Sequence, residues 1–269
     1  MTYELPAAPL SIGGVIDSAI RLYRDSLRRC FTLALLYSVV MGIFGVFWTL
    51  ALTKGVAPGT KDPRQALAAL LSPVALGGFA LTMLASFVFY GALMKTVSAW
   101  AKGNESLSVG NALAVGLRRL PGAVLGGLLY GLAVVIGLVL LVVPGVYFFG
   151  KLQLWLPAMF VDDAGAVEGL RISWRLTSGR WWRGTVIISV ALIIVYVFAL
   201  AMGLLSGVIT ALTHLTLTDS TIVGQLLGVV SNVIVLPMFV AILVVMYHDF
   251  KLRSEGGDLA ARMGALGKA

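Results

Sequence analysis

Apolar residues come in long unbroken blocks along this chain, and the charged residues fall between the blocks. From Leu120 to Gly150 there is no charged side chain; Lys151 follows, and Leu152 to Val161 is again uncharged. Such a run is too long for a soluble core helix. It predicts two membrane-crossing helices folded back on each other at Val143-Pro144-Gly145. Applied to the whole chain, the pattern predicts six spans, at about 30–52, 73–94, 120–142, 146–161, 184–212 and 221–247, then a charged tail at 248–269. The expected fold is all-α: one integral membrane domain over 1–269, a polytopic bundle of six transmembrane helices in three hairpins.

Three segments outside the spans alternate apolar and charged positions at helical spacing. In the first, Ile12, Val15, Ile16, Ala19, Ile20, Tyr23 and Leu27 oppose Asp17, Arg21, Arg24, Asp25 and Arg28. Ala101 to Arg119 and Ala164 to Arg183 read the same way, so amphipathic interfacial helices are expected before spans 1, 3 and 5. Ile12, Ile16, Ile20 and Arg21 share their spacing with Val109, Leu113, Leu117 and Arg118, and with Ala166, Leu170, Trp174 and Arg175. Either any amphipathic helix beside a membrane reads like this, or the chain is three copies of one unit: interfacial helix, span out, span back.

Composition agrees with the pattern. The chain is 59% hydrophobic and 12% charged over 269 residues, where a water-soluble domain carries about 25% charged residues. The net charge of +8 would suit nucleic acid if it formed one patch, but the cations are spread among the gaps, so no nucleic-acid partner is expected. Arg21, Arg24, Arg28 and Arg29 precede span 1; Lys95, Lys102, Arg118 and Arg119 separate spans 2 and 3; Arg171, Arg175, Arg180 and Arg183 separate spans 4 and 5. The opposite side holds only Lys54, Lys61 and Arg64. By the positive-inside rule both termini are expected on the cytoplasmic side. Met1 to Ser11 has no basic run, so no cleavable signal is expected. One cysteine, Cys30, excludes an internal disulfide.

The sequence offers little chemistry. The two histidines, His214 and His248, fall on opposite sides of the membrane and cannot share a metal. Asp162, Asp163 and Glu168 form the one acidic cluster, and carboxylates at a helix start are ordinary there. No nucleophile elbow, phosphate-binding loop or His-Glu-x-x-His motif occurs. No catalytic, metal or cofactor-binding residues are assigned, and the expectation is a protein that is not an enzyme.

Polar residues inside spans are the default pointers to a pathway; here they are Lys151, Gln153, Gln225 and Asn232. A snorkelling lysine and ordinary interhelical hydrogen bonds explain them as well. Pro144, Pro157 and Pro237 mark either hinges or broken helices of the kind that line transporter sites. Gly127 with Gly131, and Gly224 with Gly228, allow close helix contacts. Arg21, Arg28, Arg118, Arg119, Arg171, Arg175, Arg180 and Arg183, flanked by Trp100, Trp174, Trp181 and Trp182, are the candidate contacts to anionic lipid headgroups. Membrane lipids are therefore the expected partners, with a membrane or envelope protein as a second candidate. A carrier of lipid or a hydrophobic solute is the alternative to a membrane-organising component.

Three stretches also carry a likeness: Val142-Val143-Pro144-Gly145-Val146 with Leu156-Pro157-Ala158, then Gly169 to Gly179, and finally Tyr247 to Leu259. In that order they resemble the membrane domain of bacterial glycerophosphoryl diester phosphodiesterases, and the chain is also similar to YciC-type inner-membrane proteins. The resemblance implies a six-span helical protein of the bacterial cytoplasmic membrane. It implies no catalysis, because in fused members the phosphodiesterase activity belongs to a separate soluble barrel domain that this sequence does not contain.

Overall fold

A computed structural model describes residues 3–55, 63–104, 107–213 and 217–266, with backbone alone at 49–55, 63, 66, 217–221 and 257–266. The described residues form ten helices and no strand: α1 Ile12–Gly55, α2 Pro63–Leu70, α3 Pro73–Ala101, α4 Val109–Arg118, α5 Leu120–Leu140, α6 Val142–Leu152, α7 Trp155–Val161, α8 Ala166–Thr177, α9 Trp181–Thr213 and α10 Leu217–Leu266. Five of them, α1, α3, α5, α9 and α10, are long and apolar enough to cross a membrane.

Prolines and hydroxyl caps set many of the boundaries. Pro144 would drive its ring into the carbonyl of Leu140, four residues back, and α5 stops at Leu140. Pro157 does the same to Gln153, and α6 stops at Leu152. Hence the expected fourth span, 146–161, is two short helices. Neither is long enough to cross alone, and the sixfold count is not reproduced by helix length. Pro237, by contrast, is accommodated within α10. Ser11, Ser72 and Ser108 accept hydrogen bonds from the backbone N–H groups of Gly14, Ala75 and Asn111, opening α1, α3 and α4.

Two further expectations are corrected. The first amphipathic segment is not a separate interfacial helix, because it runs without a break into the first span as the 44-residue α1. Val15 and Ala19 of its apolar face, with Leu22 beside them, are fully buried against protein, and the rest of that face is half-buried. The charged tail is likewise continuous with the sixth span in the 50-residue α10. No residue between 12 and 30 or between 247 and 256 breaks a helix strongly enough to separate the parts, and each helix gains a long partner by continuing. α1 and α10 lie antiparallel, with Leu10 against Asp249 near one end and Gly45 against Gln225 near the other. From residue 12 to 45 that is about 50 Å of helix at 1.5 Å per residue, well beyond a hydrocarbon layer of ~30 Å. The short α2 falls inside what the sequence pattern reads as a polar connection.

Packing is strongly one-ended. Most of the fully buried side chains come from residues 15–34 of α1, 92–97 of α3, 187–191 of α9 and 240–250 of α10, together with α7. Toward the other end the same helices expose Ile43, Phe47, Phe79, Leu204 and Leu226. Helices α3, α7 and α10 touch one another in the middle of the packed end. The α5–α6 hairpin rests on α3, α4, α7, α8 and α9 near its base, and its apolar tip is open: Val139 is 81% and Val143 78% exposed.

The repeated spacing has a structural counterpart. α1, α4 and α8 begin at Ile12, Val109 and Ala166, the first residues of the three matched sets. The positions three and seven further on are buried in all three: Val15 and Ala19, Ala112 and Gly116, Gly169 and Ser173. Each helix also docks on the returning limb of the preceding hairpin. α4 packs on α3 and α8 on α6 and α7, while the opening turns of α1 close the circle on α10.

Candidate functional site

The packed end gathers the chain's charged side chains into three joints. At the first, the carboxylate of Asp249 is 2% exposed as a residue and accepts from the Leu10 N–H at 2.7 Å, from Arg183 at 3.1 Å and from Arg253 at 3.0 Å. Arg183 and Arg253 also donate to the Leu10 carbonyl, and His248 Nε2 lies 2.9 Å from the Pro6 carbonyl. The amino-terminal segment is thereby fastened to α9 and α10, so residues 6–10 and 248–253 lie at the same end of the molecule. Burial of the Asp249 carboxylate is tolerable because two guanidinium groups and a backbone N–H donate to its oxygens.

The second joint is the turn after α7. Asp163 adopts a positive φ of 59° and pairs with Lys95 and Arg119, each at 2.9 Å. Arg119 also donates to the carbonyls of Met159 and Ala164, at 2.7 and 3.2 Å, which lack helical partners at the end of α7. Asp162 accepts from the Tyr247 hydroxyl and from Lys251, both at 2.8 Å. Burial alone would raise the Asp162 pKa. The hydrogen bonds from Lys251 and Tyr247, with the charges of Lys251 and Lys102, outweigh that and hold the carboxyl below its usual value. Glu168 stands apart, capping α8 through the Gly165 N–H at 3.4 Å. The acidic cluster read from sequence is thus divided among three separate tasks.

The third joint joins α1 to α3. Asp25 accepts from the Tyr3 N–H at 2.9 Å and from the Trp100 indole at 3.0 Å, while the Arg29 guanidinium lies 3.3 Å from a Trp100 ring centroid.

The intramembrane candidates do not come together. Lys151 is buried along its stem, donates to Ser178 Oγ at 2.9 Å and sits 4.7 Å from a Trp174 ring centroid. Its carbonyl, freed by the break between α6 and α7, accepts from both Ser173 and Thr177, and Ser173 Oγ accepts in turn from the Leu154 N–H. α8 therefore completes the hydrogen bonding that the broken helix lacks. Beside it the Gln153 amide is buried with neither polar atom hydrogen-bonded, packed against Gly184. Gln225 lies on Gly45 of α1 and flanks two apolar grooves of about 530 and 430 Å³ between α1 and its neighbours α10 and α3. Gln153 lies at the level of Phe250, which touches the same glycine; twenty-five residues of α10 separate Phe250 from Gln225, about 37 Å. Asn232 is exposed.

Of the eight arginines expected at headgroups, Arg21, Arg28, Arg118, Arg171, Arg175 and Arg180 are exposed at this end. Arg119 and Arg183 differ: both are half-buried and ion-paired, with Asp163 and Asp249. Spacing alone could not separate these classes, since the discriminating partners lie 44 and 66 residues away. The Asp249 and Asp162 joints were missed for the same reason, although a carboxylate directly after an apolar block was a usable signal. His214 lies outside the described residues. Among the described residues, no three His, Cys, Asp or Glu side chains group as metal ligands.

The profile of a family described as "Domain of unknown function (DUF7847)" matches residues 105–250, more than half of the chain. Among curated proteins and solved structures, none matches.

Proposed function

We propose, for this chain that belongs to the DUF7847 family, a non-enzymatic role in the bacterial cytoplasmic membrane: an organising or accessory component that gathers anionic lipid around a cationic base. The carrying observation is the polarity of the bundle. Its packed end presents Arg21, Arg28, Arg118, Arg171, Arg175 and Arg180 with Trp174 and Trp182 exposed, while among the described residues the other end exposes apolar side chains such as Ile43, Phe47, Phe79, Leu204 and Leu226. Arginine near a membrane surface contributes on the order of 1 kcal/mol toward anionic lipid. On this reading the packed end is cytoplasmic and carries both termini.

The chain makes six passes, with α6 and α7 together forming the fourth. Support comes from contacts that run antiparallel down α5: Gly137 on Gly145, Gly126 on Trp155, Gly122 on Met159 and Arg119 on Ala164. A hairpin returns to the side it left whether its tip emerges or stops within the lipid, so the parity of the termini does not depend on that detail.

The test is the lipid that accompanies the protein into polymer nanodiscs. Replacing Arg21, Arg28, Arg118 and Arg171 by Gln lowers phosphatidylglycerol enrichment over bulk membrane; unchanged enrichment refutes the reading. A carrier of lipid or a hydrophobic solute is the second reading, and the grooves flanking α1 at Gln225 are what favours it. Lipid scrambling or solute flux in reconstituted liposomes would establish it.

A further inference from the structure

Where α7, α8 and α10 converge at the packed end, two cavities of about 310 and 500 Å³ open on either side of one post. Asp162, Tyr247, Lys251 and Glu255 line both. Lys251 and the Tyr247 hydroxyl are committed to Asp162. Two charged groups of the larger lobe are not committed: among the described residues, neither Arg175 nor Glu255 has an ion-pair partner, and both side chains are exposed. The lobe thus carries one free cation and one free anion, with the Ser254 hydroxyl on its wall and Ile172 and Leu176 as its apolar side.

A simple anion would meet Glu255, and a simple cation would meet Arg175. A ligand with both charges satisfies both. We propose that this lobe binds a phosphate ester carrying a primary ammonium, the chemistry of an ethanolamine headgroup. The phosphate lies against Arg175, in the paired N–H geometry that guanidinium offers phosphate, and the ammonium against Glu255; the Ser254 hydroxyl donates to the Lys251 carbonyl and serves only as wall. Ile172 and Leu176 take the adjoining carbon chain. The site goes beyond the anionic-lipid role above, because an ethanolamine headgroup is zwitterionic, and rests on that role only for the lipid as source.

The experiment uses the full chain in detergent, titrated calorimetrically with O-phosphoethanolamine and with inorganic phosphate. In parallel, native mass spectrometry follows retained phosphatidylethanolamine against phosphatidylcholine, whose methylated ammonium cannot donate hydrogen bonds. The expected result is a preference for the ethanolamine form, lost by about tenfold in Glu255→Gln and in Arg175→Gln, as for loss of a hydrogen bond to a charged group. Preference in the lipid arm alone assigns the membrane as source; preference in the soluble arm as well assigns the headgroup chemistry itself. Glu255→Gln is the decisive variant because it raises the net positive charge. General attraction to phosphate would strengthen in it, whereas this site weakens. Affinity unchanged or increased in Glu255→Gln, or equal retention of the two lipids, overturns the proposal, whatever the phosphatidylglycerol experiment shows. Neither side chain is buried, and an unchanged melting curve verifies folding.

Discussion

Two glycines on one short helix give the sharpest test of how the packed end is held. On α4, a Cβ added at Gly110 meets nothing within 4 Å. One added at Gly116 would stand 2.2 Å from the Val88 carbonyl oxygen and 3.0 Å from its carbon. That neighbour is the backbone of α3, so no rotamer change relieves it, and α4 must move off α3 by roughly an ångström. In a free helix either Gly→Ala change is favourable, by up to about 1 kcal/mol. Gly110→Ala should therefore stabilise by about 0.5 kcal/mol, the lower figure reflecting its place in the first turn. Gly116→Ala gains the same propensity and loses about 1–3 kcal/mol to overpacking, with more lost if the neighbouring Ala112 contact opens. The expected separation between the two variants is about 1–3 kcal/mol, of opposite sign about wild type. Thermal unfolding in detergent measures it, and hydrogen exchange localises it to α4 and the facing turn of α3. If both variants shift in the same direction by similar amounts, α4 is not seated on α3 as described, and the shared docking of α1, α4 and α8 fails with it.

Asp249→Ala strands Arg183 and Arg253 around the Leu10 carbonyl. A loss of about 3–5 kcal/mol is expected, as for breaking one member of a buried charge pair, and a cysteine placed at Pro6 becomes reactive to a soluble maleimide; unchanged labelling would contradict the clasp. Ser173→Ala removes a donor to the Lys151 carbonyl and the acceptor for the Leu154 N–H, costing about 1–3 kcal/mol, whereas Thr213→Ala, an exposed hydroxyl that donates only within its own helix, should cost less than half as much; equal melting points would argue against α8 completing the α6–α7 break. Asp162, whose folded pKa is lowered below 3.8, contributes stability that is fully present above that value and is lost as pH falls through the lower folded one. The acid limb of a pH–stability curve should therefore flatten in Asp162→Asn, and an identical acid limb would refute the assignment.

Chain-local features already told the environment, the helical class and most helix starts, because the physics behind them is local. A long uncharged block suits a lipid crossing, a serine caps the N–H groups beside it, and a proline rejects the carbonyl four residues back. Pro73, Leu120 and the turn at Leu141 could be placed on those grounds. Helix ends were harder. α1 and α10 continue through boundaries that composition suggested, since a long antiparallel partner rewards helix beyond the length a crossing needs, and that partner is up to 239 residues away in the chain. Arg118 and Arg119 make the same point at the scale of one residue. They are adjacent and identical in type, yet Arg118 faces outward while Arg119 closes the turn at Asp163. Which face of a helix meets protein is settled by what the other helices bring to it, and only the assembled bundle holds that information.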